Sequence, residues 1–186
     1  CQQRLQIGAG VGDQGRIAPA IPFDDAKGLL PLPVNGALQI AFGAPDDTGV
    51  NSKGITLTAR AESRVISPAD GWVVYAGPFR TYGQLIILNA GNDYHLVLAG
   101  MDTINVELGQ FVLSGEPIAT MGSRRLVSLE TDNVAATTTT DAQSLTDSKV
   151  TDGPTTLYVE FRKDGNSIDP SPWWVVDLST ENDLDG

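Results

Sequence analysis

The chain has 186 residues, 41% of them hydrophobic, with 20 glycines, 11 prolines and a formal net charge of −11. This length suits one domain with irregular ends, and no apolar run approaches the roughly 18 residues of a membrane span. The negative balance repels phosphate backbones, which excludes nucleic acid as a natural partner. One cysteine, Cys1, excludes an intrachain disulfide and a cysteine-rich zinc site. It suits either a lipidated first residue or an arbitrary chain boundary, and the Gln, Arg and Leu after it also suit the end of an upstream helix.

In chain order, residues 1–28 mix Gly, Pro and Asp without a sustained period and read as an extended leader, or as the end of an upstream coiled coil. From Leu29 the pattern changes to short apolar runs separated by turn residues. The runs are "LLPLPVNGALQIAFG", "GITLTA" (54–59), "RVISPADGWVVYAG" (64–77), "GQLIILNAG" (83–91), "DYHLVLAG" (93–100), "PIATMG" (117–122) and "TTLYVEFRKDG" (155–165). Rich in Val, Ile, Leu and Tyr and bounded by Gly, Asn, Asp or Pro, they predict strands. No stretch sustains a helical apolar stripe, so the fold class is all-β and antiparallel.

Ala69-Asp70-Gly71 predicts a tight turn with Gly71 at positive φ. Residues 123–153 are polar, with four consecutive threonines, and predict a long flexible insert that cannot bury enough apolar area to order itself. Residues 29–175 form the expected domain, followed by an acidic tail at 176–186.

Taken together, "LPLPVNGALQIAFG", "SPADGWVVYAG", "INVELGQFVLSGEPIATMG" and "LYVEFRKDGNSIDPSPWW" resemble, in this order, the LytM domain of the M23 zinc metallopeptidases. The resemblance covers about residues 29–175 and implies a β-sandwich/barrel hybrid. Members of that family cut cell-wall peptides with a zinc held by H-x-G-x-D and by the second His of H-x-H. Here the first motif aligns with Ser52-Lys53-Gly54-Ile55-Thr56, the catalytic-His segment with Leu98-Ala99-Gly100-Met101, and the last with Thr156-Leu157-Tyr158-Val159-Glu160. The degenerate positions are thus Ser52, Thr56, Gly100, Thr156 and Tyr158.

A catalytic zinc needs about three protein ligands from His, Cys, Asp or Glu. The sole histidine, His95, falls at none of these positions and reads as an ordinary strand residue. The sequence therefore predicts no catalytic residue, no metal and no cofactor. Glu160 reads as structural, paired with Arg162 or Lys53.

On the last long strand, Thr156, Tyr158, Glu160 and Arg162 share a face at period two. Lys53, Tyr82, Tyr158 and Arg162 are the expected partner-binding groove, Tyr and Arg being frequent binding hot spots. This reading expects Tyr158→Ala or Arg162→Glu to abolish partner binding with little change in melting temperature.

The resemblance is strongest to the degenerate LytM branch of the murein hydrolase activators EnvC and NlpD, with "KGITLTA" and "TYGQLIILNAG" looking most like the EnvC type. It implies a periplasmic protein of a Gram-negative bacterium that cuts nothing and activates an N-acetylmuramoyl-L-alanine amidase. It also implies regulation by FtsEX through an upstream coiled coil absent from this chain. The alternatives are a non-catalytic peptidoglycan-binding module and an M23 endopeptidase with unusual ligands. A lipoyl or biotinyl carrier shares the V-x-x-G-x-x-V rhythm but needs an exposed hairpin lysine that neither half-motif offers.

Overall fold

The computed structural model describes residues 18–80, 83–126, 151–153 and 155–178. The strands are β1 (Leu38–Ile40), β2 (Ile55–Ala59), β3 (Arg64–Ile66), β4 (Gly71–Pro78), β5 (Gln84–Gly91), β6 (Tyr94–Met101), β7 (Thr103–Ile104), β8 (Phe111–Val112), β9 (Pro117–Thr120), β10 (Arg124–Leu126), β11 (Thr151–Gly153), β12 (Thr155–Lys163) and β13 (Asn166–Ile168). All the pairings between these strands are antiparallel, as the sequence predicts. An eight-stranded sheet runs β1-β2-β12-β6-β5-β4-β8, with β13 added to β12. A three-stranded sheet, β3-β9-β7, lies across it.

Alternation along each strand decides what the sheets bury. Ile55 on β2, Val159 on β12, Leu98 on β6 and Ile86 on β5 are in register across four strands, and all are buried. Val65 of β3 and Ile118 of β9 join the same core from the small sheet. The interior is therefore shared between two sheets, each presenting one apolar face. The β5–β6 hairpin turns through Asn92 and Asp93, at φ 50° and 62°, the positive values that a tight primed turn requires.

Four expectations need amendment. Gly71 is absent from the positive-φ residues; its role is close approach, since a Cβ there would lie 2.7 Å from the Asn89 carbonyl oxygen. The end of the expected leader belongs to the domain. Its 3₁₀ turn Phe23–Ala26 buries Phe23 against Trp173, with ring centroids 5.4 Å apart, and the Trp173 indole donates to the Phe23 carbonyl at 3.0 Å. The C-terminal boundary also moves: Leu178 packs against the core. Finally, the stretch read as a flexible insert begins and ends as strand, because Arg124 pairs with Gly153 and Leu126 with Thr151. Residues 127–150 lie outside the described residues, as do 1–17 and 179–186.

Candidate functional site

β12 positions the site. Its inward residues Leu157, Val159 and Phe161 are fully buried, which fixes the strand's rotation and turns Thr156, Tyr158, Glu160 and Arg162 to the opposite face. Phe161 anchors that rotation through ring contacts with Phe23, Trp173 and Trp174 at 5.5, 5.8 and 5.1 Å.

On the outer face, Thr56, Tyr158, Ala99 and Leu85 form one register row across β2, β12, β6 and β5. Thr156 and Gly100 meet at the end of this row. Gly100 has φ 107°, and a Cβ on it would lie 2.5 Å from the Thr156 carbonyl oxygen. No side chain fits at Gly100 without moving β12. Ser52 enters on the β1–β2 connection, where its hydroxyl donates to the Gly54 carbonyl at 2.8 Å. Four of the five positions expected to be degenerate thus meet on three adjacent strands, with Ser52 on the bordering loop. Lys53 is exposed on that loop, and Tyr82 lies outside the described residues.

The centre of the face is a buried carboxylate. Glu160, with its side chain 6% exposed, accepts hydrogen bonds from the Tyr158 hydroxyl at 3.0 Å, the Arg162 Nε at 2.7 Å and the Ser167 hydroxyl at 2.6 Å. Burial alone would raise its pKa. The bonds from Ser167, Arg162 and Tyr158 and the Arg162 charge together outweigh that cost and hold it below the ordinary carboxylate range. The same burial, followed by the Glu160 charge, pushes the Tyr158 hydroxyl well up, so it stays protonated and donates.

The pairing of Glu160 with Arg162 is as the sequence predicts. The expectation that Tyr158→Ala or Arg162→Glu leaves the melting temperature nearly unchanged runs against this geometry, in which both side chains are tied to one buried carboxylate. Sequence reasoning also missed a second apolar cluster on this face, where Leu85, Val97 and Ala99 are buried against Ile87 and Tyr158. The signal was the unbroken apolar run of β5 and β6, which fills both faces instead of alternating. A separate hollow of about 230 Å³, lined by Ile21, Phe23, Leu29, Leu30 and Asp70 among others, contains none of the expected site residues.

The donor chemistry does not fit zinc. Ser52, Thr56, Gly100, Thr156 and Tyr158, which the sequence resemblance sets against the family's ligand and catalytic positions, offer three hydroxyls, a phenol and no side chain, and the Ser52 and Tyr158 hydroxyls are spent on Gly54 and Glu160. Among the described residues no group of three His, Cys, Asp or Glu stands close enough to hold a metal ion.

The family model of "Peptidase family M23" matches residues 50–170. The chain belongs to that family. It is 41% identical over 92 residues to the murein hydrolase activator NlpD of Escherichia coli K12, an alignment covering 49% of this chain and 24% of NlpD. It is 31% identical over 98 residues to the cell division protein DipM of Caulobacter vibrioides, covering 52% of this chain and 16% of DipM. The alignments thus span about a quarter or less of these curated relatives. A crystal structure titled as a putative peptidase M23 from Pseudomonas aeruginosa superposes with a TM-score of 0.56 at 18% identity, covering 85% of this chain and 54% of the other. That likeness supports the fold alone. The expected LytM-type family and all-β class are therefore established. Among the described residues no helix is long and apolar enough to cross a membrane.

Proposed function

We infer that this domain is a non-catalytic M23 module that binds and activates a peptidoglycan hydrolase, specifically an N-acetylmuramoyl-L-alanine amidase of the periplasm, during cell separation. The observation that carries the reading is the rebuilt centre of the family's site: a buried carboxylate satisfied by Tyr158, Arg162 and Ser167 stands beside the aligned ligand positions. Such a network holds the Tyr158 ring and the Arg162 guanidinium in fixed orientations. Preorganised groups of these types favour recognition over hydrolysis. The resemblance to NlpD supplies the partner class, and DipM's name as a cell division protein supports the setting.

In this reading Lys53, Tyr158 and Arg162, with Tyr82 from the β4–β5 connection, contact the amidase, and the amidase supplies zinc and bond cleavage. The domain acts by binding the open state of its partner better than the closed one. A differential affinity of about 3 kcal/mol changes the active fraction by at most roughly a hundredfold. The EnvC-type resemblance adds FtsEX as regulator, reached through a coiled coil upstream of the domain.

The test combines elemental analysis of the purified chain with parallel pull-downs on an amidase and on purified peptidoglycan. Sub-stoichiometric zinc with capture of the amidase supports the reading. Stoichiometric zinc would restore the endopeptidase alternative, and retention on peptidoglycan without amidase capture would replace the activator by a wall-binding module.

A further inference from the structure

The hollow at the far end of the large sheet lies outside the groove. Phe23, Ala26, Leu30, Ala69 and Ala90 line its inner wall, and all five are buried. Three of them are alanines, whose short side chains leave about 230 Å³ open where the segment 19–30 passes the start of β4 and the end of β5. Ala90 belongs to the main core, whereas Leu85, five residues back on β5, belongs to the cluster on the groove face. Five residues of strand span about 17 Å. The hollow and the groove are therefore separate places on opposite faces of the sheet.

The walls of the hollow are held in place. The Asp70 carboxylate accepts a hydrogen bond from the Ala20 N–H at 3.0 Å through one oxygen and from the Ser114 N–H at 2.8 Å through the other, so one side chain ties the segment 19–30 to the turn that follows β8. Phe23, stacked on Trp173 at 5.4 Å, pins the same segment to the core. The opening is thus built before any ligand arrives, as binding cavities commonly are. Of its lining residues, Ile21 is 44% and Leu29 61% exposed. Two large apolar side chains thus extend the apolar wall out to solvent.

The lining selects the occupant. An apolar cavity of about 150 Å³ stays dry and takes a benzene-sized molecule, so a hollow of this size and lining takes a bulky apolar side chain. The segments that wall it, 19–30, 67–71 and 113–116, carry Asp24, Asp25, Asp70 and Glu116 against Lys27 alone, and the Lys27 ammonium sits over the Trp173 ring at 4.8 Å. In a chain of net charge −11 such a surround attracts cations and repels anions. We propose that the hollow is a docking site for a segment of a partner protein that inserts one leucine-sized side chain between Ile21 and Leu29 and sets the lysine or arginine beside it against these carboxylates. The site stands whether or not the groove engages an amidase.

The probe is the blocked tripeptide Lys-Leu-Lys, titrated into the whole ¹⁵N-labelled chain and followed by amide chemical shifts, which register weak binding. Glu-Leu-Glu reverses the charge, and Lys-Ser-Lys removes the apolar group. Saturable shifts are expected at Ala20, Ile21, Ala69, Ala90 and Ser114, with an affinity at least about fivefold above that for either control. Leu29→Ser, at an exposed position, should weaken binding by a similar factor without lowering the melting temperature, and Asp25→Lys should weaken Lys-Leu-Lys while strengthening Glu-Leu-Glu. Should Leu29→Ser melt lower, Ile21→Ser and Asp25→Lys carry the test. Absence of saturable shifts, equal binding of either control peptide, or undiminished binding by the variants overturns the proposal. So do shifts confined to Tyr158, Glu160 and Arg162, which would seat the peptide in the groove instead.

Discussion

The two faces of β12 use one strand for different purposes. Inward, Leu157, Val159 and Phe161 are fully buried among hydrophobic residues, and their contribution scales with apolar area removed from water. Outward, Tyr158, Glu160 and Arg162, joined by Ser167, carry a hydrogen-bonded charge network around a carboxylate nearly as buried as the core. The inward face sets where the outward groups point. The outward face tolerates a buried charge only because each partner is in place, so it is specific in geometry and modest in net stability.

The largest effect should come from the inward face. Phe161→Ala removes the ring packed on Phe23, Trp173 and Trp174 and should cost about 3–5 kcal/mol in urea unfolding. A cost below that of an outward substitution would break the comparison.

Gly100→His, which puts an imidazole at the position expected to match the family's catalytic His, should come next. Positive φ for a non-glycine residue costs about 1–2 kcal/mol. The clash with the Thr156 carbonyl adds to it, so the denaturation midpoint should fall clearly, and zinc should not restore it.

Glu160→Gln should cost about 1–3 kcal/mol, because it weakens three hydrogen bonds at one buried group. The pH dependence follows from the lowered pKa of Glu160. The unfolded chain binds this proton more tightly than the folded one, so the contribution is complete above the ordinary glutamate value of 4.5 and is lost as pH falls through the folded value. In Glu160→Gln the acid limb of the stability profile should flatten; an unchanged limb would show that the carboxylate is not held as described.

Lys53→Glu should be the mildest for folding, within about 0.5 kcal/mol in thermal melts, since Lys53 is exposed on the β1–β2 connection. It should still reduce hydrolase stimulation measurably, which separates partner contact from folding.

Much of this contrast is legible in the residues. Period-two alternation from Thr155 to Lys163 predicts both faces of β12, and the Gly, Asn and Asp punctuation places the hairpins. What escapes is non-local. Phe23 sits in a segment without periodicity, and its partner Trp173 lies 150 residues away, so only the closed core assigns it to the domain. Ser167 reaches Glu160 across the β12–β13 turn, a contact no face pattern encodes. The apolar runs of β5 and β6 mark strands but conceal that Leu85, Val97 and Ala99 form a separate cluster from Ile86, Leu88 and Leu98.

The most direct measurement is release of dye from labelled cell walls by the domain alone, by an amidase alone, and by the two together. The account predicts little release by either protein separately and strong release by the mixture, diminished by Lys53→Glu. Release by the domain alone, or a mixture no more active than the amidase, would contradict it.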